Sequence, residues 1–139
     1  GYLQVKARCP VPLAGGERYE FCRGFWPALD RQIFHIVMPD VGIVGGIGEL
    51  DKVASMAESR GIQIAPHGPF GPVTLAAGAQ VMAAHPGFLV LEYPWGLNTW
   101  RAALVEPAER IVDSHHRLSD RPGLGVALNP ALLAAHRVG

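Results

Sequence analysis

Cysteine is scarce in this sequence, and neither sign of charge is in excess. There are 2 cysteines, Cys9 and Cys22, in 139 residues. Two thiols at this spacing form neither a metal-binding motif nor a disulfide framework, so we expect a reducing compartment, the cytoplasm. The 12 basic and 12 acidic side chains give a formal net charge of +0. This balance argues against a nucleic acid or an acidic membrane surface as a partner held by bulk charge.

Long apolar runs are also absent. No stretch approaches the roughly 18 apolar residues that a membrane span needs, and residues 1–6 contain no apolar core of a signal peptide. Hydrophobic residues nevertheless make up 49% of the chain and charged residues 17%, which is typical of a folded globular domain. The sequence begins without methionine, and a fragment or a processed piece is therefore one expectation.

Four short apolar runs punctuate the first part of the chain. They occupy residues 11–14, 33–38, 62–65 and 88–91. Their length and continuity predict strands that are buried on both faces.

The segments between the runs have helical patterns. One has an apolar face at positions i, i+3, i+4 and i+7, formed by Leu50, Val53, Ala54 and Ala57. Pro72 predicts the first turn of a second helix, with Val73, Ala76, Ala77 and Val81 on one side. A shorter helix is expected at 27–32, and Asn129 is a candidate N-cap near the end of the chain. Strand and helix alternate, so the sequence predicts an α/β fold with a parallel sheet and crossover helices.

An ionisable residue follows each apolar run. Glu17, Asp40, His67 and Glu92 are separated by 23, 27 and 25 residues, about the length of one βα unit each. In a parallel sheet, all four side chains would emerge at the C-terminal edge of the strands, where α/β proteins place ligands.

The residues alone leave ordinary structural roles open. Glu17 could pair with Arg18 or Arg23, Asp40 could form an Asx turn, and His67 could be a turn residue. The glycines at 42, 45, 46 and 48 do not have the spacing of a nucleotide-binding loop. The polar stretch around His115 and His116 is interpreted as a surface loop, and Trp95 and Trp100 could line a pocket, the core or a subunit contact.

Several ordered motifs resemble the enolase superfamily. Within it, the motifs resemble the mandelate racemase and muconate lactonizing enzyme family, and in that family the branch of sugar-acid dehydratase-like enzymes. The motifs are LAGGE at 13–17, PDVGIVGGIGE at 39–49, APHGP at 65–69 and LEY at 91–93, with PGLGV at 122–126 as a looser match. The resemblance implies the C-terminal half of a (β/α)8 barrel, which needs about 250 residues when complete. Residues 1–94 would form the partial barrel, and residues 95–139 would pack on it and on a capping domain that this sequence lacks.

The resemblance also implies a role for each strand-end residue. Glu17 would be the last of three carboxylates that bind Mg²⁺, and the other two ligands would come from strands absent here. His67 would abstract the proton alpha to a substrate carboxylate, and Asp40 would orient its ring. Glu92 would hydrogen-bond the developing enediolate, which requires a protonated carboxyl group.

The implied activity is Mg²⁺-dependent proton abstraction alpha to a carboxylate, by a lyase or isomerase. Dehydration of a sugar acid is the first expectation. The alternatives are a racemase or epimerase of a hydroxy acid, and a catalytically inactive barrel fragment that acts as an assembly module. Because half a barrel leaves strand edges open, we expect a homo-oligomer or association with the missing half.

Overall fold

The computed structural model describes residues 1–137, and short strands alternate with helices from the first strand to the fourth helix. The helices are α1 (Tyr2–Lys6), α2 (Phe21–Asp30), α3 (Ile47–Glu58), α4 (Pro72–Met82), a 3₁₀-helix (Arg101–Leu104) and α5 (Pro130–Ala135). The strands are β1 (Ala14–Gly15), β2 (Ile36–Val37), β3 (Gln63–Ile64), β4 (Val105–Glu106), β5 (Ile111–Val112), β6 (His115–His116) and β7 (Ala127–Leu128). Residues 138 and 139 of the predicted C-terminal segment lie outside the described residues.

The first three strands form a parallel sheet in the order β1-β2-β3, as predicted. Ile36 is the central residue of the register, since it pairs with Ala14 on one side and Gln63 on the other. A further parallel bridge joins Asp40 to His67 beyond the ends of β2 and β3. The parallel pairing therefore extends past the strands and aligns two of the predicted site residues.

The fourth apolar run forms less sheet than predicted. A single parallel bridge joins Phe88 to Ile64, and the Leu89 amide donates to the Ile64 carbonyl over 2.8 Å. Phe88, Leu89 and Val90 are 38%, 44% and 56% exposed. In the first run, Val11 is 60% exposed, and Pro12 and Ala14 are exposed as well. The prediction of burial on both faces is therefore wrong for the runs at 11–14 and 88–91. Both runs lie at the ends of the pairing order, and within residues 1–137 no further parallel strand lies beyond either of them.

Helix α3 confirms its predicted apolar face. Leu50, Val53, Ala54 and Ala57 are all buried. The helix is followed by Gly61, whose φ of +66° lies in the left-handed region that favours glycine. The Ile62 amide then donates to the Ala57 carbonyl over 3.0 Å, so the end of the helix is satisfied by its own backbone.

Helix α2 begins earlier than the predicted position at 27–32, and Pro27 lies inside it. Its start depends on a distant residue. The Phe21 amide donates to the Val44 carbonyl over 2.8 Å, and the Cys22 amide donates to Glu49 Oε2 over 2.7 Å. A cap supplied by Glu49 from the next helix is not visible in the local sequence, which explains the error.

The other two helices that the sequence predicted, α4 and α5, begin where expected. Pro72 opens α4, and Ala76, Ala77 and Val81 are buried, whereas Val73 is 38% exposed, contrary to the predicted face. Asn129 Oδ1 accepts from the first amides of α5 and caps that helix.

The core lies between the sheet and helices α2 to α4. Its largest buried side chains include Phe25, Leu29, Leu50, Val53 and Ile64. Burial of each large apolar side chain stabilises the fold by about 1.5–3 kcal/mol. The sheet that carries the strand-end residues is thus packed against a buried core. Within residues 1–137, none of the helices has the length and apolar character that crossing a bilayer demands.

Candidate active site

Asp40 and His67 meet at the C-terminal edge of the parallel sheet. Asp40 Oδ2 lies 2.9 Å from His67 Nδ1, and the Asp40 side chain is 1% exposed. Its other oxygen, Oδ1, accepts from the amides of Gly42 and Ile43 over 2.8 and 3.2 Å. Asp40 thus makes two kinds of contact, because one oxygen forms an Asx turn while the other faces His67.

The hydrogen bonds of Asp40 select the state of the His67 ring. An ionised carboxylate only accepts, so this contact requires a proton on His67 Nδ1, and in the neutral ring Nε2 is then the atom with the lone pair. The His67 side chain is 17% exposed, so the ring is only partly buried at the sheet edge. A histidine held in this way can act as a general base.

Glu17 lies on the open side of the His67 ring. Its Oε2 is 3.9 Å from His67 Nε2, and its side chain is 48% exposed. Arg18 Nε is 3.9 Å from Glu17 Oε1, but the Arg18 side chain is 90% exposed, and such a pair contributes little. Arg23 instead stacks over the ring of Phe21. The Glu17 carboxylate is therefore available for a ligand.

Glu92 approaches the loop that carries His67. Its Oε2 accepts from the Gly68 amide over 3.0 Å. A Cβ at position 68 would lie 2.4 Å from the Glu92 carbonyl oxygen, so the close approach requires glycine. The four predicted residues are thus brought to one edge of the sheet, with Glu92 linked to the others through the backbone after His67.

Residues that the sequence analysis missed lie behind this edge. The Phe70 ring meets the His67 ring edge to face, with 6.0 Å between centroids. Arg101 is buried and pairs with Glu109. Burial raises the pKa of Glu109, and the positive charge of Arg101 opposes that rise. Burial, followed by the nearby Glu109 charge, also raises the pKa of Tyr93. No local pattern marks these residues, because their partners are distant in sequence.

The other candidates lie outside this site. His115 and His116 form β6 of a hairpin with β5, and burial lowers the pKa of His116. Trp95 is 84% exposed, and Trp100 stacks on His136 with 4.0 Å between ring centroids. Among residues 1–137, no three His, Cys, Asp or Glu side chains are grouped as a complete metal site.

A cavity of about 400 Å³ lies between α4, the run at 88–91 and the β5–β6 hairpin. Its walls are largely apolar and include Met82, Phe88, Leu89 and Ile111. None of the four strand-end residues lines it. The cavity is therefore separate from the Asp40–His67 pair.

Residues 1–132 match the family described as enolase C-terminal domain-like. The chain is 32% identical over 145 residues to D-galactarolactone cycloisomerase of Agrobacterium fabrum, an alignment that covers 99% of the chain and 38% of that enzyme. It is 36% identical over 128 residues to D-xylonate dehydratase of Haloferax volcanii, covering 92% of the chain and 31% of that enzyme. The chain thus spans about a third of the length of these curated relatives.

Solved structures show the same likeness. A mandelate racemase/muconate lactonizing enzyme from Jannaschia sp. CCS1 is 35% identical with a TM-score of 0.91. The superposition covers 99% of this chain and 35% of that one. The corresponding enzyme from a Sulfitobacter species is 34% identical with a TM-score of 0.89, covering 97% of the chain and 34% of the neighbour.

Proposed function

The chain belongs to the enolase C-terminal domain-like family, and from this premise we propose that it supplies the acid–base residues of an enzyme that removes the proton alpha to a sugar-acid carboxylate. Its relatives include proteins named D-galactarolactone cycloisomerase, D-xylonate dehydratase and D-galactonate dehydratase. The observation that carries the proposal is the 2.9 Å contact between Asp40 Oδ2 and His67 Nδ1. It directs the basic Nε2 of His67 away from Asp40 and toward the open edge of the sheet.

His67 acts as the base in this proposal. Nε2 takes the proton from the carbon beside the substrate carboxylate, and the ring becomes an imidazolium. Asp40 keeps the ring in the required tautomer and stabilises the positive charge that develops on it. The backbone amides on Asp40 Oδ1 prevent that carboxylate from turning away.

Glu92 supports the charge that appears on the substrate. A carboxyl group donates a hydrogen bond to an enediolate oxygen only when it carries a proton. Glu92 Oε2 already accepts from the Gly68 amide, so Oε1 is the atom that would carry the proton. In this proposal, Oε2 of Glu92 binds the protein backbone and Oε1 binds the substrate.

Glu17 fits one position in a Mg²⁺ site. A carboxylate oxygen is a hard ligand of the type that Mg²⁺ prefers, and Glu17 is half-exposed at the sheet edge beside His67. Bound Mg²⁺ would offset negative charge on the substrate carboxylate oxygens. Because residues 1–137 contain no group of three ligands, the other protein ligands are proposed to come from outside them.

Dehydration is the preferred outcome of proton removal. Loss of the hydroxyl group from the neighbouring carbon would yield the dehydrated acid, and the proton held by His67 Nε2 is available to the departing oxygen as water forms. Relatives named as dehydratases favour this outcome. Racemisation or epimerisation is the second candidate, since solved neighbours are named mandelate racemase/muconate lactonizing enzymes.

The assembly is part of the same proposal. Residues 1–94 would be a partial barrel, and residues 95–139 would pack on it and on a capping domain. The exposed apolar run at 88–91 supports closure by another half-barrel or by a second copy of the chain. The scarcity of cysteine supports a cytoplasmic location.

The test is exchange of the alpha proton in D₂O, measured by NMR on the natural full-length protein with D-galactonate, D-xylonate and related acids. We expect Mg²⁺-dependent deuterium incorporation or dehydration, and loss of both in His67→Asn. His85→Asn is the matched control, because His85 Nε2 also lies 2.9 Å from an aspartate, Asp51, but away from the site. Exchange that persists in His67→Asn would contradict the proposed base.

A further inference from the structure

A buried polar network lies behind the candidate active site, formed by Arg101, Glu109 and Tyr93. Arg101 Nη1 donates to Glu109 Oε2, and the Tyr93 hydroxyl donates to the same oxygen over 3.3 Å. The side chains of Arg101 and Glu109 are 7% and 3% exposed. This buried network has no part in the chemistry assigned to the four strand-end residues.

Arg101 holds the loop that carries His67. Its Nε and Nη2 both donate to the Phe70 carbonyl, over 3.3 and 2.9 Å. The planar guanidinium presents these two donors in a rigid fork, so it restrains a backbone position three residues after His67. The Phe70 ring contacts the His67 ring edge to face, which transmits the restraint to the imidazole.

The same guanidinium also packs on the segment that carries Glu92. Arg101 Cζ lies 5.2 Å from the centroid of the Tyr93 ring, and Tyr93 directly follows Glu92. Between the two restrained segments, the Gly68 amide donates to Glu92 Oε2 over 3.0 Å. Arg101 therefore contacts both sides of the hydrogen bond that joins the His67 loop to Glu92.

We propose that Arg101 is a positioning residue, which holds His67 and Glu92 at their working separation through the Phe70 carbonyl and the Tyr93 ring. A buried ion pair is a poor source of net stability, because the loss of hydration offsets the attraction between the charges. Orientation of two loops is a role that this pair can fulfil. The expected effect on catalysis rests on the proposed function, whereas the effect on the loops does not.

The first test is Arg101→Lys in the natural full-length protein, which keeps the charge but removes the planar fork. Hydrogen exchange measured by NMR should become roughly tenfold faster at the Gly68 amide and remain unchanged at Val53 in α3. The value of kcat should fall while KM changes little, since misplacement of His67 affects the chemical step. Arg121→Lys is the matched control, because Arg121 is exposed and also donates to a backbone carbonyl, that of Glu106, over 3.4 Å. This control should change neither the Gly68 exchange rate nor kcat.

A second variant removes the ion pair without leaving a buried charge unpaired. Arg101→Met combined with Glu109→Leu replaces both charges by apolar groups, a change that proteins often tolerate in the folded state. The proposal expects the same local acceleration at Gly68, with Val53 still protected. Should Arg101→Lys not fold, this double variant decides the question.

Two results would overturn the positioning role. One is an unchanged Gly68 exchange rate in folded variants, and the other is equal acceleration at Gly68 and Val53, which would show that Arg101 contributes global stability only. Absence of turnover in the unmodified protein, together with selective acceleration at Gly68 in the variants, would refute the proposed function and support the positioning role.

Discussion

The substitution Asp40→Asn replaces one carboxylate oxygen of the candidate site by an NH₂ group. The asparagine amide oxygen can replace Asp40 Oδ1 and keep the hydrogen bonds from Gly42 and Ile43. Its NH₂ group then takes the place of Oδ2, which lies 2.9 Å from His67 Nδ1. Because the NH₂ group only donates, Nδ1 must accept and Nε2 must carry the proton. Asp40→Asn therefore removes the base without removing the histidine.

The two expected effects differ greatly in size. In a comparable catalytic triad, the same exchange of aspartate for asparagine lowers kcat about 10⁴-fold by imposing the wrong tautomer. We expect a loss of that order in alpha-proton exchange. The cost in folding is smaller, because the turn contacts persist and one charge-assisted hydrogen bond is weakened. Such a bond contributes about 1.5–3 kcal/mol.

The assay combines deuterium incorporation at the alpha carbon with calorimetric unfolding. Asp51→Asn is the matched control, since Asp51 contacts His85 at the same 2.9 Å but is 60% exposed. It should leave the exchange rate unchanged and cost no more than about 1 kcal/mol in stability. A folded Asp40→Asn protein that retains more than about a tenth of the exchange rate would refute the tautomer argument.

Three further changes test other parts of the structure. The hydrogen bond from Lys52 and the hydrogen bond from the Cys22 amide lower the pKa of Glu49 to about 2. The ionised Glu49 carboxylate therefore contributes fully to stability above its ordinary pKa of 4.5. This contribution is lost as the pH falls through about 2. Circular dichroism against pH should show that Glu49→Gln is less stable than the unmodified protein near neutral pH, and that this difference disappears at the lowest pH. Gly68→Ala should lower the free energy of unfolding by about 1–3 kcal/mol through overpacking, because its Cβ would lie 2.4 Å from a carbonyl oxygen. Gly71→Ala, which has open space around its Cβ, should show no such overpacking cost in calorimetry. Glu17→Gln should weaken Mg²⁺ binding in titration calorimetry of the full-length protein and lower turnover in parallel. Equal Mg²⁺ affinity in that variant would contradict the ligand assignment.

Local chemistry explains the elements that could be predicted. The apolar face of α3 follows from side chains three and four residues apart. Pro72 and Asn129 begin helices because their preferences act on the adjacent backbone. Such interactions span only a few residues, so the amino-acid sequence is enough to recognise them.

The candidate site was predictable for a related reason. Its four residues each follow an apolar run, and parallel strands bring such positions to one edge. The structure confirms this placement for Asp40 and His67 through their bridge and hydrogen bond. The catalytic and metal-binding roles of the four remain proposals.

The sequence by itself determined the alternation of strands and helices, the convergence of the strand-end residues and the family resemblance. Only the tertiary structure decided the early start of α2 capped by Glu49, the exposure of the run at 88–91, and the contact between Arg101 and the His67 loop. Each of these depends on groups that are distant in the chain, or on a neighbouring strand that is absent from the described residues. Local propensity carries no information about such partners, because burial and long-range hydrogen bonds exist only once the chain has packed.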